Sequence, residues 1–135
     1  MDRDRFERGM RKRRAVLGDD VVDEQIKGDS SISRRWQTYV TEAAWADCWA
    51  DETIGLRDRM ILTLGMVAAL GREAEFEGHV RNAVRNGISA REMEALMVHI
   101  GVYCGVPIGS TCARAIQRVV AQASGSILEL TGLTS

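Results

Sequence analysis

Residues 56–71 read LRDRMILTLGMVAALG and residues 73–87 read EAEFEGHVRNAVRNG. The first stretch opens on the charged triplet Arg57-Asp58-Arg59 and then turns apolar on nearly every side up to Leu70. A helix with that profile belongs in a core or in an oligomer interface. The second stretch repeats apolar residues at Phe76, Val80, Ala83 and Val84, the spacing of one helix face. Gly71 and Gly87 close the two periods in cap positions. Together they predict an all-α chain.

The same punctuation extends outward. Ser89-Ala90-Arg91-Glu92 is a capping box that opens a helix with Met93, Leu96, Met97, Ile100 and Tyr103 or Cys104 on its inner face. Gly105 and Pro107 end it, and a last helix is predicted from about 108 to 123 with Cys112, Ala115, Ile116, Val119 and Val120 inward. The tail from Gly125 to Ser135 carries Ile127, Leu128, Leu130 and Leu133, and could dock on a neighbour or fray. Towards the N-terminus, residues 4–17 form a helix ended by Gly18, and a short segment covers 21–26. After the polar turn Gly28-Asp29-Ser30-Ser31, a long helix is predicted from about 33 to 50, with Trp36, Tyr39, Val40, Ala43 and Ala44 as its stripe. Six helices in one domain over residues 1–135 are expected, with a core region of about 30–123 and both ends in oligomer contacts.

Composition sets the class. The 135 residues carry a net charge of −1, which argues against nucleic acid and against a membrane surface as partner. The basic run Arg11-Lys12-Arg13-Arg14 lies among Asp2, Asp4, Glu7, Asp19 and Asp20 and reads as a solvated helix face. The N-terminus has no secretory pattern, and Met60 to Leu70 is about half of a membrane span. Cys48, Cys104 and Cys112 are odd in number and widely spaced, so no disulfide framework follows and a cytoplasmic location is expected. Few aromatics and an apolar third long helix imply that a monomer would expose too much apolar surface, which oligomerisation would cover.

The ordered motifs resemble those of the carboxymuconolactone decarboxylase family, within the AhpD-like superfamily. They are Leu62-Thr63-Leu64-Gly65-Met66-Val67-Ala68-Ala69-Leu70-Gly71-Arg72-Glu73, the stretch from Glu77 to Gly87, then Glu92, Glu94, His99 and Val102-Tyr103-Cys104-Gly105-Val106-Pro107. Arg13-Arg14-Ala15-Val16-Leu17-Gly18 and Val40-Thr41-Glu42-Ala43-Ala44-Trp45 match as well, so the resemblance runs from about Phe6 to Val120. It implies an all-α fold, trimers or hexamers and no cofactor; His79, His99 and the cysteines lack the spacing of metal ligands, so no metal is expected. It also implies a carboxy-lyase acting on a small anionic lactone: 4-carboxymuconolactone loses carbon dioxide to give an enol-lactone in the β-ketoadipate pathway of aromatic catabolism. Ile108-Gly109-Ser110 and Thr111-Cys112-Ala113 depart from the family's usual wording, as does Trp36, which leaves room for a related substrate.

Such a reaction needs a grip on the carboxylate, a donor for the oxygen on which charge develops, and a proton for carbon. His79, among Glu77, Arg81 and Arg85, is the first acid/base candidate; the alternative is a packing histidine bonded to a carbonyl. His99 shares a face with Glu92, Ala95 and Tyr103, at spacings of seven, four and four, and is the second candidate or part of a polar packing cluster. Both would meet in one site if their helices are antiparallel neighbours. Glu42, near Trp45 and Trp49, is an acid/base candidate, or else the partner of Arg34, Arg35 or another arginine. Arg72 offers a planar grip for a carboxylate, unless it is only a helix-start charge. Tyr103, Cys104 and Trp45 complete the expected substrate contacts. A thiol peroxidase or disulfide reductase would need a Cys-x-x-Cys pair. Position 107, three after Cys104, is proline and the next cysteine is Cys112, so Cys104 reads as lining or core. A non-catalytic helical assembly module is the remaining alternative.

Overall fold

The computed structural model describes residues 2–132, with the side chains of 126–131 set aside. Seven α-helices and one π-helix are found among the described residues: α1 (Arg3–Leu17), α2 (Asp19–Ile26), α3 (Ser31–Tyr39), the π-helix (Val40–Trp49), α4 (Leu56–Ala69), α5 (Glu73–Arg85), α6 (Ala90–Cys104) and α7 (Val106–Thr131). The all-α class holds, with more helices than the six expected. The chain falls into two compact units, Met1–Arg59 and Met60–Ser135, and the division lies inside α4.

In the first unit α1 packs along the π-helix, and α2 lies between α1 and α3 in the chain, touching both. Asp2 caps α1 by accepting from the Arg5 N–H at 3.1 Å, and Gly18, at φ 89°, lets the chain turn straight into α2. The predicted helix 33–50 is divided: its second half winds as a π-helix, closed by the Ala50 N–H on the Trp45 carbonyl at 2.8 Å. That extra residue per turn resets which side chains face inward. Trp36 and Tyr39, expected inside, are 58% and 61% exposed, while Thr41, Glu42, Trp45 and Ala46 are buried. Gly9 explains how close the helices come: a Cβ there would sit 2.1 Å from the Thr41 carbonyl oxygen.

Arg13 corrects the reading of the basic run. It is 3% exposed, not solvated. Its guanidinium donates to the Thr41 hydroxyl at 3.1 Å and to Gln25 Oε1 at 2.7 Å, and burial lowers its pKa, with Arg14 adding to the effect. Its neighbour Arg14 stays at the surface with Asp19 and Asp23.

In the second unit α5 and α6 both pack against α7. Ser89 caps α6 as expected: its hydroxyl oxygen accepts from the Glu92 N–H at 3.1 Å, and its O–H donates to Glu92 Oε1 at 3.1 Å. The core holds Phe76, Val80, Ala83, Met93, Ile100, Cys112, Ala115, Ile116 and Val119. Gly105, at φ 100°, turns α6 into α7, and Gly101 and Gly109 let the two helices touch backbone to backbone. Pro107 does not break a helix; it stands in the first turn of α7, where its missing N–H is not needed. α7 also runs past Gly125 to Thr131, beyond the predicted end near 123. The apolar tail positions Ile127, Leu128, Leu130 and Leu133 lie outside the described side chains.

Candidate active site

The candidates divide between the two units. In the second unit, a cleft of about 420 Å³ is lined by residues of α4, among them Leu62, Leu64 and Met66, and by Leu96, His99 and Ile100 of α6. That volume suits a small molecule, and His99 is the one titratable side chain on its wall. The His99 ring is stacked on Tyr103, with centroids 5.0 Å apart and planes 29° from parallel. Tyr103 itself is 80% exposed, so the ring pair stands at the surface end of α6.

His79 lies outside that cleft, on α5, where it is half-buried. Burial pushes its pKa below the ordinary value, and Glu75, one turn earlier, pulls the other way. A neutral imidazole that can still exchange a proton is the state this environment favours. Arg72 stands at the N-cap of α5 and donates to Glu75 at 2.6 Å; that guanidinium holds the Glu75 carboxyl below its usual range. Arg72, Glu75 and His79 therefore succeed one another at spacings of three and four along one helix face. Sequence reading passed over Glu75, although the Arg-x-x-Glu-x-x-x-His spacing was a signal for it. The two histidines were to share one site only if α5 and α6 were antiparallel neighbours. Each of these helices packs instead on α7, and the cleft takes His99 alone.

Cys104 is half-buried and Cys112 buried, and both are free thiols. Burial, with Cys104 and Glu73 nearby, raises the Cys112 pKa. Among the described residues no group of three or more His, Cys, Asp or Glu is placed to hold a metal ion.

In the first unit, the π-helix carries Glu42 and Trp45 into the interior, where they are 7% and 8% exposed. Trp45 contacts the Trp49 ring at 5.3 Å. The partner of Glu42 is neither Arg34 nor Arg35 but Arg5 of α1, whose Nη1 donates to Glu42 Oε2 at 2.8 Å. Arg5 also donates through Nε to Asp47 Oδ1 at 2.8 Å and through Nη2 to Asp47 Oδ2, which holds the Asp47 carboxyl below its usual range. Glu42 Oε1 is buried and accepts no hydrogen bond. Sequence reading also missed Arg5. Its spacing to Gly9 and Arg13, four and eight residues, marks the stripe of α1 that faces the π-helix.

Two features now stand together: an all-α chain with glycine-ended helices, and a histidine-bearing helix that opens on Arg72. These features accord with the sequence comparison, in which the carboxymuconolactone decarboxylase family pattern matches residues 34–118. The chain belongs to that family. It is 26% identical to a 4-carboxymuconolactone decarboxylase of Acinetobacter baylyi over 118 residues, covering 87% of this chain and 88% of the relative. It is 31% identical to a nitrosuccinic acid decarboxylase of Metarhizium robertsii over 102 residues, covering 76% of this chain and 71% of the relative. Both similarities support a decarboxylase, a carboxy-lyase acting on a small substrate. Among the described residues no helix is long and apolar enough to cross a membrane.

Proposed function

We propose that the chain is a cofactor-free decarboxylase of the 4-carboxymuconolactone type, working in the cytoplasm as a homo-oligomer, either trimer or hexamer. The observation that carries this reading is the pair of decarboxylases matched over most of the chain. Their named substrates share a physical demand. When the C–C bond to the carboxylate breaks, its electron pair passes towards an oxygen, of the lactone carbonyl in one case and of the nitro group in the other. A site for either must hold a carboxylate, place donors at that oxygen, and return a proton to carbon.

His79 fits the central role. As a neutral imidazole it offers N–H to the developing oxyanion. Protonated by solvent at its other nitrogen, it then passes its N–H proton to carbon and returns to the neutral ring, so the reaction consumes one proton and releases one carbon dioxide. Arg72 grips the anionic end of the substrate from the start of α5. His99, with Tyr103 stacked on it, serves at the small-molecule cleft, and Cys104 lines the site. Glu42 is a second proton-handling group, with Trp45 as an apolar contact. Oligomer formation is supported by Leu62, Met66, Leu70, Val102 and Val106, all exposed apolar residues of the second unit.

The test is an assay of the purified protein with 4-carboxymuconolactone, read as enol-lactone formation and carbon dioxide release, with nitrosuccinate run in parallel. Release of carbon dioxide from the lactone acid is expected. Turnover of nitrosuccinate alone would move the substrate class and keep the reaction type. No carbon dioxide from either would defeat the reading.

A further inference from the structure

The cleft between α4 and α6 is furnished unlike a pocket for a small polyanion. Leu62 and Met66 stand on one wall, Leu96 and Ile100 on the other, and His99 is the one titratable group. Among the described residues no arginine or lysine lines it. The His99 ring leans on Tyr103, and among the described residues neither of its nitrogens takes part in a hydrogen bond. An imidazole so placed can serve one oxygen of a ligand.

Nitrosuccinate and 4-carboxymuconolactone are dicarboxylates. Against these walls a carboxylate would give up its water for one imidazole, and a second carboxylate would find nothing. An alkyl or aryl group meets the opposite balance. Leu62 and Met66 are exposed, so a ligand that covers them removes apolar surface from water. The volume of about 420 Å³ falls within the range of cavities that hold drug-sized molecules, which leaves room for such a group.

We infer that the cleft is a specificity pocket for an apolar arm of the substrate, an aliphatic or aromatic group carried by a carboxylic acid, with His99 meeting a single oxygen of that acid. This names the substrate class of the decarboxylase reading and rests on it: that the arm belongs to an acid that loses carbon dioxide comes from that reading, while the pocket's preference is measured without it.

The first experiment uses the protein in its native oligomeric state, labelled with ¹³C-methyl methionine, with Met66→Leu to assign the Met66 signal. Butanoate, hexanoate and octanoate are titrated beside succinate. Octanoate is expected to move the Met66 methyl and to bind at least about tenfold tighter than butanoate, since one fully buried methylene is worth about fourfold, ~0.8 kcal/mol. Succinate is expected to bind at least about tenfold more weakly than octanoate. Met66→Glu, at an exposed position, is expected to weaken octanoate by about tenfold or more. Equal affinities along the series, succinate binding as tightly as octanoate, or a Met66 signal that no acid moves would overturn the proposal. The last result includes a cleft filled by a neighbouring copy.

Turnover supplies the second experiment. The value of kcat/KM for 4-carboxymuconolactone is compared with that for its propyl-substituted analogue. A rise of about tenfold or more is expected, and Met66→Glu is expected to remove it. An equal or lower value for the analogue in an active enzyme would overturn the proposal. Octanoate binding in a protein that releases no carbon dioxide from either acid would place the failure in the decarboxylase reading and leave the pocket standing.

Discussion

The first unit is stapled by polar groups and the second is filled by apolar ones. Between α1 and the π-helix the close contacts are Arg5 with Glu42 and Asp47, Arg13 with Thr41, and Gly9 against backbone. Between α5, α6 and α7 the buried set is Phe76, Val80, Met93, Ala115, Ile116 and Val119, with Glu77–Arg118 as an exposed clamp. Polar staples are directional, so they fix helix register; apolar packing is tolerant of register and depends on volume.

The sharpest test of this contrast is at Gly9. Gly9→Ala puts a methyl 2.1 Å from the Thr41 carbonyl oxygen. A loss of roughly 3 kcal/mol or more is expected, at the upper end of overpacking, read by urea denaturation. A loss below about 1 kcal/mol would mean that α1 slides freely, and the staple account would fail. Met93→Ala should cost about 3 kcal/mol by cavity formation, since Met93 is fully buried in the second unit. Gly109→Ala and Gly101→Ala sharpen the helix-crossing argument. A Cβ on Gly109 would lie 3.0 Å from the Gly101 Cα, while one on Gly101 would lie 3.9 Å from the Gly109 Cα. Gly109→Ala is expected to lose about 1 kcal/mol, and Gly101→Ala to be neutral or slightly stabilising; equal effects would break the argument.

The smallest effect concerns pH. Burial lowers the His79 pKa in the folded chain below its ordinary value of about 6.5. As pH falls, the unfolded chain takes up this proton first. The stability is therefore whole above about pH 6.5 and is lost as pH drops from there to the lower folded value. His79→Gln is expected to flatten the thermal midpoint across that window. A slope unchanged by the substitution would show that other groups carry it.

Most of the fold was legible because its signals are local. Gly18, Gly71, Gly87 and Gly105 all take positive φ where helices end, and Ser89 caps α6. The π-helix was not legible, since residues 36–49 carry an ordinary helical spacing and the change of winding comes from packing on α1. Trp36 and Tyr39, on the α-helical half, face outward, and Glu42, on the π-helical half, is buried. Arg13 was misread for the same reason: a charge run shows its composition, not which member faces a neighbouring helix. Of the candidate residues, His79, Arg72 and Glu42 were visible as residue types in a resemblance. Their partners Glu75 and Arg5 were not named, because one partner depends on a helix face and the other on contact between residues 37 positions apart.

The central claim is that the half-buried imidazole of His79 handles the proton that replaces carbon dioxide. The direct measurement is kcat/KM for 4-carboxymuconolactone in wild type and in His79→Gln, with both shown folded by circular dichroism. A fall of about 100-fold or more is expected for loss of an acid–base group. Equal kcat/KM in the two proteins would contradict the claim.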